Sequence, residues 1–331
     1  MPRATGRHAR AFAPAWWLRN PHLQTLWPYV FRRVPAPDLT RERLELPDGD
    51  FVDLCHTTGG SGPRVLVLHG LEGSWRSPYA RGLLHALQRR GWRGVLMHFR
   101  GCSGEPNRLA RGYHSGETGD LAHVVSVLRK REPATRIAAV GYSLGGNVLL
   151  KWLGEGDAPR GIAAAVAVSV PFELAKSAAR IDRGFSRLYR WRLMTSLKRS
   201  VRRKFERIPP PIDLSGLERL RSFEDFDGRV TAPLHGFHDA ADYYSRSSSR
   251  QYLGRIATPT LLIHAADDPF MTPDTVPDES ELSDSVRLEL SAHGGHVGFV
   301  TGVFPWRPAY WAEERIMEYL GAAFGEGRTE N

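Results

Sequence analysis

The strongest constraint on how this chain folds is a series of short, unbroken apolar runs separated by stretches of helix length. Arg64-Val-Leu-Val-Leu-His69, Gly94-Val-Leu-Met-His-Phe99, Arg136-Ile-Ala-Ala-Val140, Ile162 to Val170 and Pro259-Thr-Leu-Leu-Ile263 each read as a strand buried on both faces. Between them, Glu117 to Glu132 sets Leu121, Val124, Val125 and Leu128 at helical spacing and leaves Arg129 and Lys130 wet, and Asn147 to Leu153 continues as a helix. Such alternation predicts an α/β fold, a mostly parallel central sheet flanked by helices.

The pattern stops between Phe172 and Gly254, where charge rises, prolines cluster at Pro209 to Pro211 and strand-like runs are scarce. Core strands resume afterwards, so this segment is expected to be an inserted helical cap over the C-terminal edge of the sheet, where open α/β folds bind ligands. The expected organisation is an N-terminal arm (1–50) packing on the core, a core of 51–171 and 255–325, and a cap of 172–254.

One motif sits at a strand-to-helix junction. Gly141-Tyr-Ser-Leu-Gly145 has the G-x-S-x-G form of a nucleophile elbow, in which glycines two residues either side of the serine permit a strained turn that lifts the hydroxyl out of the sheet. A serine hydroxyl is a weak nucleophile at neutral pH until a base takes its proton, so Ser143 calls for a histidine from elsewhere. Ser291-Ala-His-Gly-Gly-His-Val-Gly-Phe299 supplies two candidates after the strand-like Val286 to Leu290. His296 is preferred because glycines on both sides allow close approach, and His293 is the alternative. An acid belongs between serine and histidine in this order, and Asp267-Asp268-Pro269 stands there, with Asp268 preferred and Asp267 open.

Acyl transfer also needs donors for an oxyanion. The Leu144 amide, directly after Ser143, is one; the Leu71 amide, in His69-Gly-Leu-Glu-Gly73, is the candidate for the second, with Gly70 allowing the turn that aims it inward and His69 in support. His264, Asp267, Asp268, His293 and His296 make only a weak metal constellation, and neither a G-x-x-x-x-G-K-[ST] nor a G-x-G-x-x-G unit is present, so no metal, nucleotide or other cofactor is expected.

The net charge of +9 is local: eleven Lys/Arg face only Asp182 and Glu206 between Arg180 and Arg207. This describes a solvated helical face or a patch for an anionic membrane surface, and nucleic acid is not the expected partner. Apolar stretches such as Ile162 to Val168 fall well short of the roughly 18 residues that a membrane-spanning helix needs. Arg3, Arg7 and Arg10 precede the first acid, Asp38, without the apolar block of a secretory signal. A bacterial cytoplasmic setting is expected, an organelle transit sequence being the alternative, and Cys55 and Cys102 are expected to be buried small residues.

Beyond the elbow, Asn20-Pro-His-Leu-Gln-Thr-Leu26, His69 to Gly73, His98-Phe-Arg-Gly-Cys-Ser-Gly-Glu-Pro-Asn107, Tyr113-His-Ser-Gly-Glu117, Gly141 to Asn147, His264 to Met271 and His293 to Phe299 resemble the bacterial YheT-like hydrolases. These belong to the α/β-hydrolase-4 group, whose eukaryotic relatives include fungal medium-chain ethyl-ester synthases/esterases and animal acylglycerol lipases. The resemblance runs from about residue 18 to 320. It implies an α/β-hydrolase fold, a carboxylic-ester hydrolase acting on short- or medium-chain acyl esters, and catalysis by Ser143, Asp268 and His296. Bracing of the elbow is the role expected of His114 and Glu117. Competing readings are amide or thioester cleavage, a membrane-surface acylglycerol lipase docking through residues 180–207 and Trp16, Trp17 and Trp27, and a non-catalytic binding protein that uses the basic cap.

Overall fold

The apolar runs assemble into one eight-stranded sheet: β1 (Leu39–Glu45), β2 (Phe51–Thr57), β3 (Arg64–Leu68), β4 (Arg93–Met97), β5 (Ile137–Tyr142), β6 (Ala164–Val168), β7 (Thr260–Ala265) and β8 (Val286–Ser291), in the order β1-β2-β4-β3-β5-β6-β7-β8. The structure is a computed structural model that describes residues 11–156 and 161–326, so the basic positions Arg3, Arg7 and Arg10 lie outside the described residues. From β4 to β8 every neighbouring pair is parallel, with Leu66 opposite both Val95 and Ala139, whereas β1 and β2 add an antiparallel edge. Each residue of β3, β5, β6 and β7 is buried, which is why these strands read as unbroken apolar runs.

Helix α1 (Pro21–Phe31) precedes the sheet and is capped by the Asn20 side chain, which accepts from the His22 and Leu23 amides. One face of the sheet is covered by α2 (Pro78–Arg89), whose Leu83, Leu84 and Leu87 pack with Val65 and Val67. On the other face, Leu121 and Val124 of α3 (Gly119–Arg131) and Val148 and Leu149 of α4 (Leu144–Gly154) pack with Leu66 and Leu68.

Residues between β6 and β7 form the helical insertion: α5 (Leu174–Ile181), α6 (Ser186–Phe205), α7 (Phe223–Phe226), α8 (Ala232–His235) and α9 (Ala240–Ser247), with a single π-turn at Asp227–Thr231. It carries its own small cores, one of Met194, Leu217, Leu220, Phe226 and Val230, another of Leu174, Ala240, Tyr243 and Tyr244. After β8 come a short ribbon of β9 (Val300–Thr301) and β10 (Ala309–Tyr310) and the helix α10 (Trp311–Ala323), whose Ile316 and Leu320 close the α2 face.

The N-terminal region does more than pack on the core. Residues 39–45, counted with the arm in the sequence, are the edge strand of the sheet, and their alternating, mostly exposed pattern hides a strand that is half wet.

Candidate active site

Ser143 occupies the single residue between β5 and α4, at φ 51° and ψ −118°, a left-handed conformation that a non-glycine residue adopts only under constraint. The flanking glycines supply that constraint. A Cβ on Gly141 would lie 2.5 Å from the Gly145 carbonyl oxygen, and one on Gly145 would lie 2.6 Å from the Leu68 and His69 carbonyl oxygens. The turn is therefore wedged against the end of β3, with the Ser143 amide donating to Val168 O at 2.9 Å.

His296 Nε2 lies 3.0 Å from Ser143 Oγ, and His296 Nδ1 lies 2.8 Å from Asp268 Oδ2. Asp268 and His296 are both buried, and the Phe270 ring stacks on the imidazole at 4.0 Å between centroids. The Phe270 amide in turn donates to Asp268 Oδ1 at 2.9 Å. Of the two candidate acids, it is thus Asp268 that meets His296. Asp267 accepts from the Gly295 amide at 2.9 Å and faces the exposed His293 at 3.3 Å, and burial pushes its carboxyl up.

The His296 loop is itself strained, with Val297 at φ 59° and Phe299 at φ 46°, and α1 holds it. The His296 amide donates to Thr25 Oγ1 at 2.9 Å and the Val300 amide to Gln24 Oε1 at 2.7 Å, while Gln24 Nε2 donates to the carbonyls of Leu18 and Val300. Ser169 Oγ accepts from the Val297 amide at 3.0 Å. Sequence reasoning singled out neither Gln24 nor Thr25 individually; the run Asn20 to Leu26, quoted only for its resemblance, was the available signal.

The Leu71 and Leu144 amides donate to no acceptor among the described residues. Their turn is set by Tyr79, whose hydroxyl accepts from the Gly70 amide at 2.8 Å, and by Tyr113, whose hydroxyl accepts from the Glu72 amide at 2.9 Å and donates to Glu72 Oε1. Glu72 needs this grip because it too is left-handed, at φ 53°. His69 is fully buried, its Nε2 accepting from the Phe99 amide and its Nδ1 meeting Gly70 O; burial pushes its pKa down to about 3, so it braces the turn as a neutral ring.

The expected bracing of the elbow exists, but through other residues. Asn147 Nδ2, on α4, donates to Ser115 O and Ser247 O, and Asn147 Oδ1 accepts from the Ser249 amide. His114 instead packs its ring on His235, Phe237 and Tyr243 of the insertion, and Glu117 pairs with Arg111 and accepts from the Gly119 amide. At the base of this loop Arg100 is buried against Asp50 and Asp120.

His264 is buried without a hydrogen-bond partner among the described residues, and burial pushes its pKa down to about 4. Among the described residues, no group of three or more His, Cys, Asp or Glu side chains is arranged to hold a metal ion. Cys55 and Cys102 are free thiols, both pushed up by burial.

Ser143 and His296 open into a cavity of about 210 Å³ roofed by the insertion and walled by apolar side chains such as Leu174, Ile181, Leu197, Phe226, Val230 and Met271. Ser186 Oγ donates to Pro269 O, and the Tyr189 ring packs at a tilt on Phe270 with centroids 4.9 Å apart, so α6 is seated directly on the Asp268 loop.

Residues 63–303 match the family described as "alpha/beta hydrolase fold". The YheT protein of Escherichia coli (strain K12) is 47% identical over 93% of this chain and 92% of its own length. This chain belongs to the α/β-hydrolase family, in its YheT-like branch. More distant is the phospholipase ABHD3 of Mus musculus, 28% identical over 95% of this chain and 79% of its own length. The Pyrococcus furiosus esterase Pf2001 shares the fold, with a TM-score of 0.58 and 19% identity over 96% of this chain and 99% of that one.

Proposed function

We propose that this α/β-hydrolase is a serine carboxylic-ester hydrolase, of carboxylesterase type, acting through an acyl-enzyme on short- or medium-chain acyl esters. The observation that carries the reading is the unbroken path from Ser143 Oγ through both imidazole nitrogens of His296 to Asp268. In this mechanism Ser143 attacks the ester carbonyl and His296 takes its proton, while the Leu71 and Leu144 amides hold the oxyanion. The alcohol leaves with the proton from His296, and a water activated by the same imidazole releases the acid. Asp268 fixes the imidazole tautomer and stabilises its cation without taking the proton. An alcohol in place of water gives ester synthesis from the same intermediate.

Names of relatives point the same way: one is a phospholipase and a fold neighbour is an esterase. The apolar walls of the cavity suit an alkyl chain. The test is turnover of p-nitrophenyl esters of graded chain length by wild type and Ser143→Ala. Turnover falling by at least a thousandfold in the variant supports the reading, and wild-type turnover by the variant refutes it.

A second reading, a membrane-surface acylglycerol lipase, is favoured by one observation. Trp16, Val30, Phe31, Trp191, Val303 and Trp306 are all more than half exposed. Several are linked across α1: Trp16 Nε1 donates to Val303 O, Trp17 packs in a tilted ring contact on Trp27 and Trp27 on Phe31, and His22 packs on Phe185. The exposed Arg183, Arg187, Arg192 and Arg199 lie on the same α6 region, a combination suited to an anionic interface. No described helix is long and apolar enough to cross a membrane. Co-sedimentation with anionic vesicles at low salt supports docking, and its absence there removes it.

A further inference from the structure

Helix α6 gives the cavity one wall made of Leu193, Leu197, Ser200, Val201, Arg203 and Lys204, so an apolar strip ends in two cations. Neither cation has a carboxylate within salt-bridge distance among the described residues. Lys204 Nζ donates to the carbonyls of Ala110 at 3.3 Å and Arg111 at 2.8 Å, which leaves one of its three N–H groups over. Arg203 Nε is sealed from solvent with no acceptor among the described residues.

The nearby carboxylates are engaged elsewhere: Asp50, whose charge reaches Lys204 from beyond ion-pair distance, pairs with Arg100. Glu72 gives Oε1 to the Tyr113 hydroxyl and Oε2 to the hydroxyls of Ser196 and Ser200. Keeping a cation in a partly dry cavity without a direct ion pair costs stability, and burial pushes Lys204 down to about 8 despite the more distant charge of Asp50. A catalytic cavity that retains such a cost has a ligand to meet it.

The spacing says where that ligand's charge would lie. Ser200 touches Glu72, the residue after Leu71, and Lys204 is four residues further along α6, about 6 Å at 1.5 Å per residue. We propose that Arg203 and Lys204 bind an anionic group, phosphate or carboxylate, carried by the acyl-ester substrate a few bonds from the ester that Ser143 attacks. This makes the substrate a single-chain anionic amphiphile, with the alkyl chain on the apolar walls. It rests on the ester-hydrolase reading above.

The experiment compares kcat/KM for 1-octanoylglycerol, 1-octanoylglycerol 3-phosphate and O-octanoyl-lactate in wild type, Lys204→Met, Lys204→Arg and Arg203→Gln, with fluorophosphonate labelling of Ser143 as a check on the nucleophile. Wild type is expected to prefer at least one anionic ester over the neutral one; phosphate leading identifies a phosphorylated alcohol, and lactate leading a hydroxy acid. The ratio of anionic to neutral kcat/KM is expected to fall about tenfold to a hundredfold in Lys204→Met and Arg203→Gln, mainly through KM, and to recover in Lys204→Arg. A ratio unchanged by these variants, or a neutral ester preferred by a wild type that labels normally, overturns the proposal. Loss of labelling in wild type would instead sink the underlying ester-hydrolase reading.

Discussion

The backbone amide of His296 donates to the Thr25 hydroxyl at 2.9 Å across 271 residues of sequence. The proposed base therefore owes its position to the N-terminal helix as much as to its own loop. Replacing Thr25 by Val keeps the volume and removes the acceptor, leaving a buried amide unsatisfied at a cost of about 1–3 kcal/mol. The expected result is a kcat lowered about tenfold or more with KM little changed, and recovery in Thr25→Ser. Steady-state kinetics on a p-nitrophenyl ester check this; full kcat in Thr25→Val would show that α1 does not position the base.

The two neighbouring acids should separate cleanly. Asp268→Asn puts the imidazole in the wrong tautomer and is expected to cost about 10³–10⁴ in kcat. Asp267→Asn keeps an acceptor for the Gly295 amide, removes only the charge that faces the exposed His293, and should cost less than about tenfold. Equal losses in the two variants would contradict the assignment of Asp268.

Those two acids also mark how far the sequence could be read. Buried parallel strands announce themselves as apolar runs, and the elbow is legible because Gly141 and Gly145 are each forced by a backbone oxygen within 2.6 Å. Chain order narrowed the base to His293 or His296 and the acid to Asp267 or Asp268, with His296 and Asp268 preferred, but which carboxylate meets His296 depends on the direction of each side chain in the loop after β7. The edge strand β1 was missed because only Leu44 of its seven residues is buried. Thr25 and Gln24 were missed as individual residues for a different reason: their partners lie at the opposite end of the chain, and nothing in local pattern marks a contact of that range.

Tyr113 holds Glu72 in its left-handed conformation from both sides, through the amide and the carboxylate. In Tyr113→Phe the turn bearing the Leu71 amide is expected to relax. Because loss of an oxyanion donor costs about 10²–10³ in turnover, a drop of about tenfold to a hundredfold in kcat is predicted, with Ser143 still labelled by a fluorophosphonate. Unchanged kcat would argue against Leu71 as the second donor.

Asp227 is part-buried, with the hydroxyls of Thr231 and Tyr244 as its side-chain partners among the described residues, and desolvation pushes it from 3.8 up to about 6. A raised carboxyl favours the protonated folded state, so its contribution is complete below pH 3.8 and is lost as pH rises to about 6, amounting to about 3 kcal/mol. Asp227→Asn, which keeps a neutral partner for both hydroxyls, should raise Tm at pH 7.5 and flatten the dependence of stability on pH between 4 and 6. Thermal unfolding across that range checks it; a lower Tm at pH 7.5 would mean that the ionised carboxylate is stabilising.

Whether Ser143 is an activated nucleophile is read from a fluorophosphonate adduct located by peptide mass spectrometry. The adduct is expected on Ser143 in wild type, absent in Ser143→Ala and formed at least a hundredfold more slowly in His296→Ala. An adduct on another residue, or none on the folded wild-type protein, would mean that Ser143 is not the nucleophile.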